Sequence, residues 1–395
     1  MAKPIHPFPA RMAPEIAVEH LRSLPAGSLV LDPMAGSGTV LRYASEHQHT
    51  VVGFDLDPLS VLMARVWNTP LDSEQFRQRA RRLAEQAEAL SHRKTRLPWI
   101  DDDDETLEFV DYWFGAKQQN ELRALSSLLS GMKGNIANAL RVALSRIIVT
   151  KEPRASLARD TSHSRPHKVI TESDFDVLRG FARSANWLAR RLEEEPPSGG
   201  VVVRLGDARR MTKIAACSVD TVISSPPYLN AIDYMRGHRL SLVWLGWRLG
   251  ELRATRSNSI GSERGPNATS DLTAAKQLAS VIDPVGRFSS RLRNMVLRYA
   301  TDMLSVVAEI QRVLRPGGKV VLVVGNSRLL GSFVESASLT SAAAEAVGLE
   351  LQDKAERPLP PSRRYLPPPT SEESTGLNRR MRTETVLTFR KPGGP

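Results

Sequence analysis

The sequence predicts a doubly wound α/β fold whose core is interrupted by mainly helical segments, and three observations carry this. A short apolar run, Leu29–Pro33 (LVLDP), ends in an acid and a proline and leads directly into Gly36-Ser37-Gly38 and a helical stretch, Thr39–Ala44. Strand, tight turn and helix in that order make the first unit of such a sheet. A second run, Val51–Phe54, ends in Asp55 and is followed by helical Pro58–Trp67. Comparable runs return only after residue 200, as Val201–Leu205, Val219–Ser224 and Lys319–Val324.

Between residues 71 and 199 the periodicity is helical. Phe76, Ala80, Leu83, Ala87 and Leu90 fall on one face, and Asp72 and Gln75 stand where a cap and its reciprocal partner would start that helix. A longer helix is expected from about Gln118 to Ile148, on the stripe Leu122, Leu125, Leu129, Met132 and Ile136. Glu193–Gly200 (EEEPPSGG) is a linker by composition. A second helical and basic stretch covers 229–298. It is followed by a helix over about Tyr299–Leu314, the turn Arg315-Pro316-Gly317-Gly318, and the strand from Lys319. The tail, Leu351–Lys391, reads as two more strands flanking a proline-rich loop. The simplest partition is a core of 1–70, 200–228 and 299–395 carrying insertions at 71–199 and 229–298, without internal repeats.

The chain has 395 residues, 41% hydrophobic and 25% charged, the composition of a soluble globular protein rather than a disordered, collagen-like or coiled-coil one. No apolar stretch has the length of a membrane span. The N-terminal residues lack the apolar centre of a secretory signal, so a cytoplasmic address without membrane contact is expected. The single cysteine, Cys217, excludes an intrachain disulfide and a cysteine-rich zinc site; it reads as a small buried apolar residue. The net charge is +11 and the excess is clustered: Arg141–Lys168 has seven basic residues to two acidic, Arg236–Arg264 six to two, and Arg287–Arg298 four to none. Such a surface attracts polyanions, of which nucleic acid is the commonest. A solvated arginine-rich surface would have the same count, so charge alone does not decide.

The chemistry lies at the predicted strand ends. In Asp32-Pro33-Met34-Ala35-Gly36-Ser37-Gly38-Thr39 the glycines allow a ligand to lie against backbone, with a helix N-terminus beyond. Leu41 stands where a dinucleotide fingerprint needs its third glycine, and no Gly-Lys-Ser/Thr follows, so neither that motif nor a P-loop is present. Asp55 lies 23 positions after Asp32, where a carboxylate can accept both hydroxyls of a ribose. Asp207, after the third strand, can accept from the exocyclic amine of an adenine. Each acid alone reads as a cap or surface turn; together they outline an adenosine-shaped crevice. In Ser224-Ser225-Pro226-Pro227-Tyr228 the prolines bring no N–H. The corner therefore offers acceptors, the Ser225 hydroxyl and the Pro226 carbonyl, beside an aromatic face, which suits a planar ring bearing an amino group. The alternative is a rigid loop with Tyr228 packed into the core.

Asp32–Thr39 (DPMAGSGT), followed later by Ser225–Tyr228 (SPPY), resembles the S-adenosylmethionine-dependent DNA amino-methyltransferases. That family pairs an FxGxG-like cofactor loop with a D/N/S-P-P-Y/F/W catalytic loop; Met34 and Ala35 stand in for the usual Phe-Ala. The serine-initial form resembles the cytosine-N4 branch. His6–Pro14 (HPFPARMAP) is similar to a further cofactor element of the family, and Arg357–Lys391 resembles its C-terminal end. These pieces span roughly the core half of the chain.

The resemblance implies a Rossmann-like class I methyltransferase core. S-adenosylmethionine would be held by Phe8, Asp32, Ala35, Gly36, Gly38, Thr39, Asp55 and Asp207, with a catalytic corner of Ser225, Pro226, Pro227 and Tyr228 and no metal. It further implies duplex DNA with a flipped target cytosine as substrate, a restriction-modification or defence role, and a cognate restriction endonuclease as partner. An adenine-N6 enzyme, an RNA amino-methyltransferase of the same fold, and a nucleic-acid-binding module with an inactive cofactor fold are the alternatives. The long helical segment between the second and third strands departs from the family's plain core, and either 71–199 or 230–298 would read the target. Cytosine-C5 chemistry needs a Pro-Cys nucleophile, and Cys217 lies between Ala216 and Ser218.

Four weaker signals remain. Ser156–Lys168 mixes basic and hydroxyl residues as a phosphate-contacting loop would. His163 and His167 are separated by Pro166, which argues against a metal pair on a helix. Asp101–Asp104 reads as a solvated acidic run. Tyr234–Arg239 either lines the target strand or belongs to a helix that packs through Leu240, Val243 and Trp244.

Overall fold

Helix α1 (Pro14–Arg22) precedes two β–turn–α units, β1 (Leu29–Asp32) with α2 (Thr39–Glu46) and β2 (Thr50–Asp55) with α3 (Pro58–Asn68). Each starts as the local chemistry dictates: α1 has proline at its first position, and α3 is capped by the Asp57 carboxylate, which accepts from the Leu59 and Ser60 amides. The computed structural model describes all residues except 1, 8–11, 94, 161–165, 230–232, 263–271, 331, 360–382 and 394–395.

The first insertion contains α4 (Ser73–Ser91), α5 (Pro98–Asp101), α6 (Asp104–Trp113), α7 (Ala116–Ser130) and α8 (Asn135–Ser145). A two-residue hairpin pair, β3 (Ala158–Arg159) and β4 (His167–Lys168), precedes α9 (Val177–Glu194). Asp72 caps α4 by accepting from the Gln75 amide, as its position predicts. The single helix expected over 118–148 is instead two, because Gly131 and Gly134, the latter at φ 90°, break it between Ser130 and Asn135. The acidic run 101–104 is also corrected. Asp103 caps α6 through the Thr106 amide, Asp101 pairs with Arg123 at 2.8 Å, and Asp102 pairs with Arg96. His163 lies outside the described residues. Among the described residues no group of three His, Cys, Asp or Glu is placed to hold a metal ion, and no helix is long and apolar enough to cross a membrane.

Strands β5 (Val201–Leu205) and β6 (Val219–Ser224) return to the sheet. They are followed by α10 (Met235–Leu242), α11 (Leu249–Ser257), α12 (Leu272–Ile282) and α13 (Ser290–Val313). Then come β7 (Leu314–Val324), the short pair β8 (Ser327–Leu329) and β9 (Ser332–Val334), α14 (Ser336–Ala346), β10 (Glu350–Pro358) and β11 (Thr383–Arg390). Helix α13 begins well before Tyr299, and the expected turn at 315–318 is the start of β7. Gly317 and Gly318 exchange backbone hydrogen bonds with Lys391 there, which draws the turn residues into the sheet. The proline-rich stretch between β10 and β11 lies, from 360 to 382, outside the described residues.

The seven-stranded sheet has the order β5-β2-β1-β6-β7-β11-β10, parallel except for β11. This is the doubly wound, Rossmann-like core with mainly helical insertions that the sequence predicts, in the class I methyltransferase strand arrangement. One face packs Val30, Val51 and Ile223 against α1 and α2; the other packs Leu31, Val222 and Leu322 against α12, α13 and α14. A third cluster joins the two insertions, bringing Leu240, Val243 and Trp244 against Phe114, Leu122 and Phe181. The helix after the proline corner therefore does pack through its apolar face.

The place of the missing third glycine is explained at β2. Leu41 fills that helix position, and Gly53 on the facing strand makes the room: a Cβ on Gly53 would lie 2.6 Å from Leu41 Cδ1 and 3.2 Å from the Ala35 Cβ. Both neighbours are buried. Gly53→Ala is expected to cost about 1–3 kcal/mol of stability in urea unfolding, by overpacking; an unchanged midpoint would contradict this packing.

Candidate active site at the carboxyl edge of the sheet

Because β1, β2, β5 and β6 are parallel, their carboxyl ends share one edge. That edge carries Asp32, Asp55, Gly206-Asp207 and Ser224-Ser225. Strands β1 and β6 are neighbours, with Val30 opposite Thr221 and Leu31 opposite Val222. From β1 the chain moves to β2 on one side; β7 lies on the other side of β6. The loops after β1 and β6 therefore diverge at a topological switch point, the position where open α/β sheets bind ligands.

The glycine turn forms one wall. Gly36 and Gly38 have φ of 51° and 92°, so both use the left-handed region that glycine adopts without strain. The turn is fixed by Ala35 N donating to Phe54 O at 2.8 Å and Gly38 N to Ala35 O at 2.8 Å. Thr39 opens α2, and Ala35 and Thr39 are buried beside the turn. The Ser37 hydroxyl is buried and has no hydrogen-bond partner among the described residues. Asp55 accepts from Gly36 N at 2.7 Å through Oδ2 and from Asp57 N at 2.9 Å through Oδ1, so the second strand's acid holds the first strand's turn.

The proline corner forms the opposite wall, and a buried hydrogen bond joins the two: Ser224 Oγ donates to Asp32 Oδ1 at 2.7 Å. Ser225 Oγ donates to the Val323 carbonyl at 3.1 Å and is also hydrogen-bonded to the Tyr228 hydroxyl, so one lone pair of its oxygen is left to accept. Tyr228 is half-buried against the α13 side of the sheet. Burial raises its hydroxyl to about 12, against the lowering effect of a hydrogen bond with Ser225. Ser327 Oγ anchors the following residue by donating to Leu229 O at 2.8 Å.

Electrostatics in the crevice favour an incoming cation. Burial raises Asp32 to about 7, opposed by the Ser224 and Met34 hydrogen bonds and assisted by the Asp55 charge. Asp55 is raised to about 6 by burial and then by Asp57. Burial acts to raise Asp57 as well, but His238 outweighs it by charge and hydrogen bond, and Asp57 lies below its usual value. Between its ordinary value of 3.8 and about 7 the folded chain binds the Asp32 proton more tightly than the unfolded chain, so this group's contribution to stability falls as pH rises. Asp32→Asn keeps the acceptor oxygen and removes the charge. The variant is expected to gain roughly 1–3 kcal/mol over wild type at pH 8 and nothing at pH 4, read by thermal unfolding across that range; equal loss at both pH values would contradict it.

The structure thus brings Asp32, Ala35, Gly36, Gly38, Thr39 and Asp55 together with Ser225, Pro226, Pro227 and Tyr228 on one edge. Asp207 is on the same edge, but its carboxylate is gripped by Arg209, with Nη2 at 2.7 Å from Oδ2, and Arg209 continues to Asp302 at 2.6 Å. Phe8 lies outside the described residues. Cys217 is exposed rather than buried; it sits in the turn before β6, at the amino edge and away from Ser225, with φ 52°. Two further residues join the site, one that no motif marked and one inside the Tyr234–Arg239 stretch. Asp57 caps α3 and accepts from His238 Nδ1 on α10, which pins the helix after the proline corner to the loop after β2. The Asp-Pro pair at 57–58 is a helix-start signature that marks Asp57 in the sequence; nothing local marks which residue pairs with it.

No family model matches the chain. It is similar to the Type II methyltransferase M.BsoBI of Geobacillus stearothermophilus, 27% identical over 168 residues that cover 35% of this chain and 33% of that protein. It is also similar to the Type II methyltransferase M.MvaI of Kocuria varians, 21% identical over 360 residues, covering 81% and 76%. Among solved structures, a TehB-like SAM-dependent methyltransferase from Corynebacterium glutamicum aligns over 95% of this chain and 87% of its own at 12% identity. Its TM-score of 0.30 is too low to bear on the fold, which stands on the strand order.

Proposed function

We propose that this chain is an S-adenosylmethionine-dependent DNA methyltransferase that modifies the N4 amino group of cytosine. The observation that carries the reading is the Ser224–Asp32 hydrogen bond, which fuses the glycine turn and the Ser-Pro-Pro-Tyr corner into one crevice at the switch point. The Type II methyltransferase names of M.BsoBI and M.MvaI support it. The cofactor fits the residues present: the turn has no side chains at Gly36 and Gly38, the Ser37 hydroxyl is buried and has no partner among the described residues, the Asp32 carboxylate is buried, and Asp55 is half-buried.

When bound, S-adenosylmethionine supplies an electrophilic methyl group on a positively charged sulfur. Asp55 holds the ribose, because each of its oxygens receives one backbone N–H and keeps a second lone pair for a hydroxyl. Asp32 faces a cation more favourably once ionised. An adenine amine at Asp207 would have to displace one of the four contacts that Arg209 makes with its carboxylate, two on each oxygen. Ser225 Oγ and the Pro226 carbonyl accept the N–H groups of the target amine. The Ser225 proton already points at Val323 O, so no reorientation is needed at the moment of reaction. Those two acceptors draw the amine toward tetrahedral geometry and aim its lone pair at the methyl. Serine is too weak a base to remove the proton first, so the proton leaves after transfer, from a nitrogen that has become cationic. Tyr228 stacks on the extruded base, and a stacking gain of about 1–3 kcal/mol offsets much of the unstacking cost.

A restriction-modification or defence role, with a cognate endonuclease as partner, completes the reading. The test is mass spectrometry of nucleosides from duplex DNA incubated with the pure chain and the donor. N4-methylcytosine is expected; N6-methyladenine would move the chain to the adenine branch, and unmodified DNA would overturn the reading.

A further inference from the structure

The first insertion contains a cavity of about 390 Å³ between the end of α8 and one face of α9, remote in sequence from both walls of the crevice. We infer that this cavity is a second nucleic-acid contact, binding a phosphate ester of the substrate strand. Its lining includes Arg146, Arg154 and Arg183 and no carboxylate. Arg154 and Arg183 are exposed and pair with no acid among the described residues. Arg146 is half-buried and is lowered to about 10, first by burial and then by the charges of Arg191 and Arg154. Three guanidinium groups around one space, two of them without a counter-charge, repel one another, and an anion relieves that repulsion.

Two further observations point to a ligand. Ser184 lines the cavity, is 8% exposed, and its hydroxyl has no hydrogen-bond partner among the described residues; the Arg146 Nε is likewise buried and without a partner among them. The Arg146 guanidinium is also held in place. Its carbon stacks 3.6 Å from the centre of the Trp187 ring, and one amino group donates to the Ile5 carbonyl. A planar guanidinium fixed over an indole, with a free hydroxyl beside it and two exposed arginines at the rim, suits a phosphate oxygen set. The volume admits a phosphate together with its sugar.

The strand as the source of the phosphate rests on the proposed DNA substrate; a free nucleotide 5′-phosphate has the same chemistry, and the test separates the two. Duplex DNA and cytidine 5′-monophosphate are titrated against the full chain, reading Trp187 fluorescence with Trp187→Phe as the control that silences the signal. The Arg154→Glu/Arg183→Glu double variant is expected to weaken duplex binding at least about tenfold and to reduce the salt slope by about two, with donor affinity unchanged. Arg79→Glu/Arg82→Glu, a matched exposed pair on α4, is expected to change it less than about threefold. Equal loss in both pairs, or no Trp187 response to either probe, overturns the site. A nucleotide response that the double variant abolishes, with duplex affinity intact, overturns the strand as source and assigns a free nucleotide. If wild type binds no duplex yet answers saturably to the nucleotide, the phosphate site stands and the proposed function falls.

Discussion

Ser225→Ala is expected to lower methyl transfer by about a hundredfold while S-adenosylmethionine affinity stays within about twofold. The hydroxyl contributes a lone pair whose direction is set by donation to Val323 O, and that lone pair meets the target amine rather than the cofactor. Loss of one preorganised acceptor at a developing cation corresponds to roughly 2–4 kcal/mol of transition-state stabilisation. The substitution removes little packing, since Pro226, Pro227 and the Ser224–Asp32 bond still shape the corner. Single-turnover rates beside calorimetric titration of the donor check this. A variant that loses donor binding and turnover together would place Ser225 on the cofactor side instead.

Asp55→Ala is expected to do the reverse, costing at least about thirtyfold in donor affinity while the rate at saturating donor falls much less. Two effects add. The ribose loses its carboxylate, and Gly36 N and Asp57 N lose their acceptor, which loosens the glycine turn. Because Asp55 titrates near 6, ionised above that value and neutral below it, wild-type donor affinity is expected to rise as pH increases through that region. Asp55→Asn should flatten the rise. A pH-independent affinity, or an alanine variant with wild-type affinity, would remove Asp55 from the cofactor site.

Much of the sheet was legible because parallel strands buried on both faces are runs of Val, Ile and Leu, and the first units carry their turn residues in order. Thr39, Asp55 and Pro58 fall at element ends where the sequence places them. The break at Gly131–Gly134 was hidden by the apolar stripe continuing through Met132 and Ile136. The capping and pairing of Asp101–Asp103 depend on Arg96, Arg123 and the Thr106 amide, which no local pattern marks. Cys217 was misplaced because its residue type favours burial, whereas the turn before β6 needs a left-handed residue at the surface.

The site was legible as separate motifs, and its closure was not. Asp32 and Ser224 are 192 positions apart, and only the β1–β6 pairing brings them together. Asp57 and His238 are 181 apart, and their bond needs the second insertion to fold against α3 of the core. Sequence spacing does not reveal that the proton of Ser225 is spoken for, and this is what turns a serine into a fixed acceptor.

The most direct measurement is a crystal structure of the chain with S-adenosylhomocysteine. The account requires the ribose on the Asp55 carboxylate, the adenosine along Gly36–Gly38, and the thioether sulfur facing Ser225 across the crevice. Ligand density at any other place, or an occupied glycine turn walled off from the proline corner, would contradict it.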